Sequence, residues 1–166
     1  MTHAMHWRPL TTLDLPAVET IAAQVHPGFP EAIAVMAERL RLYPDGARLF
    51  ELDGIPSGYV LSHPGVFGAI PTLNTPLGRL PYGTDTFYVH DLALLNRARG
   101  TGAAAMIVGD ILRHARAQGF TQTSLVAVNN SQAFWHKHGF RVVDVPALAN
   151  KLASYEAAAR YMRKPL

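Results

Sequence analysis

The stretch DLALLNRARGTGAA, from Asp91 to Ala104, decides the fold of this chain. An apolar run ends at Leu95, a turn carries Gly100 and Gly102, and small residues open the helix that follows. A strand, a glycine turn and a helix together form an anion site, because the first helix amides lack partners and the helix dipole is positive there. On its residues alone, the stretch is either such a phosphate site or a loop that needs glycine for its backbone.

Two better-known phosphate motifs do not fit this turn. A Walker A loop needs Gly-Lys followed by Ser or Thr, and no such run follows Gly102. The dinucleotide-binding pattern G-x-G-x-x-G places its third glycine where this chain has Ala105, and it belongs near a first strand–helix turn. The flanking residues must therefore decide the ligand.

A second motif follows one helix later. It comprises Val126-Ala127-Val128-Asn129, then Phe134-Trp135, then Gly139-Phe140. Together with Asp91-Leu92-Ala93-Leu94 and Arg97-x-x-Gly100-x-Gly102, in this order and spacing, it resembles the GCN5-related N-acetyltransferase (GNAT) family. That family has a D-L-A-V-like strand end, a [Q/R]-x-x-G-x-[G/A] turn, and then an Asn, an aromatic and Gly-Phe. The resemblance covers residues 86–145.

The resemblance implies a fold class and an activity. The fold would be mixed α/β, with a mostly antiparallel sheet flanked by helices and splayed between the strands at 86–95 and 121–128. The activity would be transfer of an acetyl group from acetyl-CoA to an amine. The family binds acetyl-CoA as a cosubstrate rather than as a resident group.

The resemblance also implies which residues hold acetyl-CoA. Backbone amides of the turn would bind the pyrophosphate, and two arginines add positive charge beside it. The backbone of Leu92 to Leu95 would pair with the pantetheine arm, and the Leu94 amide would polarise the acetyl carbonyl. The full set is Leu92, Leu94, Leu95, Arg97, Arg99, Gly100, Thr101, Gly102, Ala103, Ala104, Asn129, Phe134 and Trp135.

His90 is the first candidate for a general base. Alkyl amines have pKa values of about 10, so a base assists the reaction near pH 7, and an ordinary imidazole pKa of about 6.5 suits the task. The alternative for His90 is a structural histidine in a half-buried strand. Asp91, a further candidate catalytic residue, should point to the opposite face of a regular strand. There it orients a partner, holds the ammonium group of the substrate, or makes a backbone hydrogen bond.

Trp135 departs from the family pattern. Many members have a Tyr there that protonates the leaving thiolate, and an indole N–H is no useful acid. That role is therefore absent, filled by water, or moved to Tyr82, Tyr88, His136 or His138. The same departure motivates a second hypothesis, a catalytically impaired acyl-CoA-binding or regulatory module on this fold.

Composition limits the classes of protein and function that remain. The 166 residues suit a single domain, 1–166, and 16% charged residues argue against disorder. The net charge of +3 is spread along the chain, which fits an anionic cofactor and disfavours nucleic acid. No cysteine, metal-ligand cluster, signal peptide or membrane-spanning run is evident, so a cytoplasmic protein without a metal is expected. An apolar edge near the C-terminal strands would fit a homodimer.

Hydrophobic periodicity predicts the remaining elements. We expect helices over 15–25, 31–42, 103–118 and 131–138, and strands over 7–10, 48–52, 58–62, 86–95, 121–128, 140–145 and 157–165. A Pro/Gly-rich surface segment over 63–83 interrupts this layout and could shape a substrate site. The acceptor side would come from about 26–44 and 63–85. The acceptor itself, a small-molecule or peptide amine, is not specified by these residues.

Overall fold

Seven strands form one mixed sheet in the computed structural model, which describes residues 3–166. The strands are β1 Met5–Pro9, β2 Ala47–Leu52, β3 Ile55–Gly65, β4 Thr86–Leu94, β5 Gln122–Ala127, β6 Arg141–Val142 and β7 Arg160–Pro165. Their order across the sheet is β1-β2-β3-β4-β5-β7-β6. All neighbours are antiparallel except β4 and β5, which are parallel. The expected mixed, mostly antiparallel sheet is confirmed.

Helices cover both faces of this sheet. They are α1 Leu15–Val25, α2 Ile33–Leu42, α3 Ala103–Ala117, α4 Gln132–Lys137 and α5 Ala149–Tyr155. Helices α1 and α2 bury Val18, Ile21 and Met36 against one face, while α3 buries Ile107 and Ile111 against the other. Each fully buried apolar side chain of this size contributes about 1.5–3 kcal/mol. Among residues 3–166, no helix is both long enough and apolar enough to cross a bilayer.

The sheet opens between its two central strands. Strands β4 and β5 pair only at Phe87–Thr123, Tyr88–Ser124 and Val89–Leu125. Beyond Val89 the two strands separate, so the last residues of β4 have no strand partner on that side. The predicted splay is confirmed, and it leaves backbone groups of β4 free for a ligand.

A bulge in β4 corrects the predicted orientation of Asp91. Strand β3 pairs Leu61 with Asp91 and Ser62 with Val89, so His90 is an extra residue in the ladder. A bulge lets two consecutive side chains leave the strand on the same face. His90 and Asp91 both reach the α1–α2 side of the sheet, and the expectation of opposite faces was wrong because it assumed a regular strand.

Several predicted boundaries also shift. Strand β3 continues to Gly65, into the region predicted as loop. The predicted strand over 140–145 shortens to Arg141–Val142, because Pro146 starts a tight turn that leads into the unpredicted helix α5. Leu95 lies just past the end of β4.

The Pro/Gly-rich segment between β3 and β4 packs against the rest of the chain. Ile70 is buried, and Tyr155 of α5 donates a hydrogen bond to the Pro71 carbonyl. Further along, the Leu77 and Gly78 amides donate to Glu38 of α2 at 2.6 and 3.0 Å. The segment therefore forms a wall over the α2 face of β4.

Candidate functional site

A cavity of about 570 Å³ occupies the gap between the diverging ends of β4 and β5. The end of β4, the start of α3, the segment after β5 and helix α4 form its walls. The sequence-predicted residues that line it are His90, Asp91, Leu92, Leu94, Arg99, Gly100, Gly102, Ala103, Ala104, Asn129, Phe134 and Trp135. Leu95, Arg97 and Thr101 lie outside the lining. The fold thus brings the two sequence motifs together around one space.

The glycine turn presents free backbone amides to this cavity. Gly100 and Gly102 adopt φ angles of +75° and +88°, a region that favours glycine, and open space surrounds both α-carbons. Within residues 3–166, the amides of Gly100, Thr101 and Gly102 donate no hydrogen bond. The Arg99 amide donates to Asn96 O at 3.1 Å and the Ala103 amide to Thr101 Oγ1 at 3.3 Å. Two of the predicted anion donors are therefore already engaged.

The two arginines of the turn differ in position. Arg97 donates from Nε to Ser57 Oγ and from Nη2 to the Pro56 carbonyl, both at 2.8 Å. These bonds fix the turn on β3 and direct the Arg97 side chain away from the cavity. Arg99 lines the cavity, so its positive charge, unlike that of Arg97, lies next to the cavity.

The open edge of β4 directs amides into the gap. The Leu95 amide donates to Ser57 O at 2.9 Å, towards β3. Because successive amides of an extended strand point to opposite edges, the Leu94 and Leu92 amides face the gap. A carbonyl placed in the cavity could accept a hydrogen bond there.

Aromatic residues of α4 form the far wall. Trp135 packs against Phe140 and Phe134, with ring centroids 5.3 and 4.9 Å apart. The ring centroids of Phe134 and His138 are 4.7 Å apart. Trp135 is buried in the main core, so it shapes the wall and presents no titratable group there.

Two histidine–carboxylate pairs border the opposite end. His90 Nε2 lies 2.8 Å from Glu31 Oε1, and His26 Nε2 lies 2.8 Å from Asp91 Oδ1. Tyr59 donates its hydroxyl to the second oxygen of Asp91. Both histidines and Asp91 line the cavity, and all these side chains lie on the α1–α2 face. Among residues 3–166, no three His, Asp or Glu side chains are placed to hold a metal ion.

Burial and hydrogen-bonded pairing have opposite effects on the pKa values of these residues. Burial alone would lower the pKa of His26, but the hydrogen bond and charge of Asp91 raise it above its ordinary value. Burial alone would raise the pKa of Asp91 and of Glu31, but their histidine partners lower both. Both carboxylates are therefore ionised at neutral pH.

His26 also crosses the gap. Its Nδ1 lies 2.6 Å from Asn129 Nδ2, so the chain Tyr59–Asp91–His26–Asn129 links β3, β4, the end of α1 and the segment after β5. Sequence reasoning missed His26, Glu31 and Tyr59. Their partners lie far away in sequence, at separations of 32 to 103 residues, and nothing local marks them.

The structure separates the four candidates for a general acid. Tyr88 is buried among Ile70, Leu148 and Tyr161, away from the cavity, and Tyr82 is exposed over Arg79. His136 does not line the cavity, whereas His138 does. Burial lowers the pKa of His138 below its ordinary value.

The acetyltransferase (GNAT) family profile matches residues 15–140. This chain belongs to the GNAT acetyltransferase family, whose cosubstrate is acetyl-CoA or a related acyl-CoA. No protein of curated function gives a significant match to the sequence.

Solved structures share the fold along nearly the whole chain. Ard1 from Thermoplasma volcanium has 17% identity and a TM-score of 0.76, over 98% of both chains. Arabidopsis thaliana Naa50, in complex with the bisubstrate analogue CoA-Ac-MVNAL, has 15% identity and a TM-score of 0.72, over 98% of this chain and 99% of that one. The GNAT-like decarboxylase GphF, in complex with isobutyryl-CoA, has 14% identity and a TM-score of 0.78, over 96% and 98%. Identities this low establish a common fold and leave the acceptor open.

Proposed function

We propose that this chain is an N-acetyltransferase that moves the acetyl group of acetyl-CoA directly to an amine. One observation carries the proposal: the open edge of β4 aims the Leu94 amide into a cavity bordered by two histidine–carboxylate pairs. Direct transfer from a thioester needs an oxyanion donor beside a proton acceptor, and this edge offers both.

The glycine turn is the proposed site for the pyrophosphate of the cosubstrate. The free amides of Gly100, Thr101 and Gly102 would donate to it, and Arg99 would add charge. The pantetheine arm would pair with the backbone of Leu92 to Leu95 as an added strand. Asn129, Phe134 and Trp135 would line the path of the arm, with Ala103 and Ala104 leaving room at the start of α3.

His90 is the proposed general base. The neutral amine attacks the thioester carbonyl carbon, a C–N bond forms, and the Leu94 N–H donates to the oxyanion. The C–S bond then breaks, CoA leaves as the thiolate, and the amine proton passes to His90. Glu31 holds His90 through Nε2 and stabilises the imidazolium that forms, as a carboxylate does in other catalytic pairs.

His26 and Asp91 are proposed positioning residues. Their hydrogen-bond chain connects the two sides of the gap, because Asp91 belongs to β4 and Asn129 follows β5. Holding these sides at a fixed separation would keep the acetyl carbonyl within reach of the Leu94 amide.

Protonation of the leaving thiolate is assigned to solvent. Trp135 cannot supply a proton, and His138, the candidate that lines the cavity, has a lowered pKa and is neutral at pH 7. The thiolate of CoA is a good leaving group at this pH, so a dedicated acid is not required.

The acceptor is proposed to be a primary amine of a small molecule or a peptide. Residues 26–44 and 63–85 would form its side of the site, and the whole chain, 1–166, would act as one cytoplasmic domain. A competing function is an acyl-CoA-binding or regulatory module that has lost turnover, which the replacement of the usual Tyr by Trp135 favours.

Two glycine substitutions test whether the glycine turn binds the pyrophosphate of CoA. Gly102→Glu places a carboxylate where the pyrophosphate would bind, and it should abolish the thermal stabilisation that CoA confers. Gly54→Glu is a matched control, because Gly54 also has a positive φ (+76°) and open surroundings but lies in the β2–β3 hairpin. Equal CoA stabilisation of both variants would refute the assignment.

An amine panel tests the reaction itself. Acetyl-CoA is incubated with the protein and with amines, polyamines, amino acids or peptides, and free thiol is measured. Amine-dependent thiol release supports transfer. CoA binding without thiol release for any amine would support the binding-module alternative.

A further inference from the structure

A buried polar cluster lies beneath the wall formed by the segment between β3 and β4. Arg39 of α2, His63 of β3 and His90 of β4 belong to it, and Arg39 and His63 are 2% and 3% exposed. Within residues 3–166, five buried side-chain nitrogens or oxygens have no hydrogen-bond partner. Four of them lie here: Arg39 Nε and Nη2, His63 Nε2 and His90 Nδ1.

These groups adjoin one another. The rings of His63 and His90 have centroids 6.4 Å apart, and Tyr88 lies 5.6 and 6.5 Å from them. Helix α2 packs on β3 through Met36, Leu40 and Leu61, which places Arg39 next to the strand that carries His63. His90 also lines the cosubstrate cavity, so the cluster adjoins the reacting end of the proposed site.

The hydrogen bonds that do exist define what the free atoms can do. His63 Nδ1 lies 2.8 Å from the Pro64 carbonyl and must donate to it, which leaves Nε2 as an acceptor. His90 Nε2 points to Glu31, so its Nδ1 is the free acceptor in the neutral ring. Arg39 contributes donors only. The cluster thus offers a paired donor group and two acceptor nitrogens.

The free edge of Arg39 matches a carboxylate. Nε and Nη2 lie on the same edge of the planar guanidinium, and this edge forms bidentate pairs with carboxylates. Its Nη1 is already engaged by Glu38 Oε1 and Thr75 O, at 3.1 and 3.4 Å. Glu38 pairs with Nη1 and also accepts from the Leu77 and Gly78 amides, so it leaves Nε and Nη2 of Arg39 without a partner. Unpaired buried donors are costly and point to an absent partner.

We propose that the acceptor of this enzyme is an amine that also carries a carboxylate, bound side-on by Arg39 with its amino group at His90 Nδ1. This inference rests on the proposed acetyl transfer and assigns its substrate class: a free amino acid or similar small amino-carboxylate. His63 Nε2 accepts a second N–H of the amine or of the acceptor side chain.

The acceptor enters through the wall at residues 74–78. Asn74, Thr75 and Gly78 are exposed, and this part is held to α2 and the segment before it by hydrogen bonds to Glu31 and Glu38.

The test compares matched acceptors with the wild-type protein. Each amino acid is assayed beside its carboxamide and the amine that lacks the carboxyl group, with thiol release as the readout. The proposal predicts that kcat/KM falls at least 100-fold when the carboxylate is lost, mainly through KM. Turnover of amines with no such preference would overturn the carboxylate assignment and leave acetyl transfer intact. Preference for an aminoalkyl phosphate would also overturn it.

Arg39 variants provide the second arm. Arg39→Gln should lose at least tenfold in kcat/KM for the carboxylate acceptor and little for its carboxamide, and Arg39→Lys should recover part of the loss. CoA-induced thermal stabilisation should be unchanged in both variants, which separates this effect from cofactor loss. An equal loss for both acceptors would assign Arg39 a structural role and refute the proposal.

A binding arm separates the two proposals. Amino acids at millimolar concentration should stabilise the wild-type protein thermally in the presence of CoA, and their carboxamides should not. If no amine gives thiol release but amino acids still stabilise the protein, the result supports the carboxylate subsite and refutes the transferase function. Absence of stabilisation by any amino acid refutes the subsite.

Discussion

Replacing Gly58 with Ala should damage both stability and turnover through β4. Gly58 pairs with Leu94, the residue whose amide is the proposed oxyanion donor. A Cβ at Gly58 would lie 2.4 Å from Leu94 Cδ2 and 2.9 Å from the Ala93 carbonyl oxygen. The Leu94 side chain can rotate, but the Ala93 carbonyl is backbone, so the end of β4 must move by a few tenths of an ångström.

The size of the effect follows from this overlap. Overpacking of this kind costs about 1–3 kcal/mol, which for a domain of this length lowers Tm by roughly 2–12 °C. Loss of an oxyanion donor lowers kcat by about 10²–10³-fold, so partial displacement of the Leu94 amide should lower kcat about tenfold or more.

Gly65→Ala is the matched control. Gly65 lies on the same strand and also pairs with β4, but its Cβ would meet Tyr88 Cβ at 3.4 Å, an ordinary contact. Tm by scanning fluorimetry and kcat by thiol release should stay near wild type for this variant. A Gly58→Ala protein with wild-type Tm and kcat would refute the account of the β4 edge.

Two further predictions concern histidines. His90→Gln should lower kcat/KM by about 10²–10⁴, because it removes the proposed proton acceptor, whereas His136→Gln, outside the cavity, should leave kcat/KM unchanged. An unchanged kcat/KM in His90→Gln would exclude His90 as the base. Burial lowers the pKa of His63 to about 4, so between pH 6.5 and 4 the unfolded chain binds a proton that the folded chain does not. Stability should therefore fall by about 3 kcal/mol on acidification through this window. His63→Phe should flatten that dependence in urea unfolding at pH 7 and 4.5, and an unchanged slope would contradict the buried neutral state.

Local sequence patterns were sufficient to predict the cosubstrate half of the site. The glycine turn and the end of β4 are neighbours in the chain, so strand, turn and helix signals in one window predict their geometry. Hydrophobic patterning predicts strands over 58–62 and 86–95, and the motif around Asn129 predicts the opposite wall. The splay between β4 and β5 followed from the family resemblance rather than from periodicity.

The acceptor half could not be predicted because its contacts are long-range. His26 lies in a Pro/Gly break after α1 and finds Asp91 only when α1 packs on the sheet. The bulge at His90 depends on the register between β3 and β4, which sequence alternation does not reveal. The Arg39 cluster likewise assembles from α2, β3 and β4, and a buried arginine in an amphipathic helix carries no local mark.

The most direct test of the account is a stoichiometric assay of acetyl transfer. The protein is incubated with acetyl-CoA and an amine, and free thiol and acetylated amine are measured by thiol reagent and mass spectrometry. Free thiol and acetylated amine should form in equal amounts, and both should be lost in Gly102→Glu and retained in Gly54→Glu. Binding of acetyl-CoA with no acetylated amine above the uncatalysed level, for any amine, would contradict the proposed acetyl transfer.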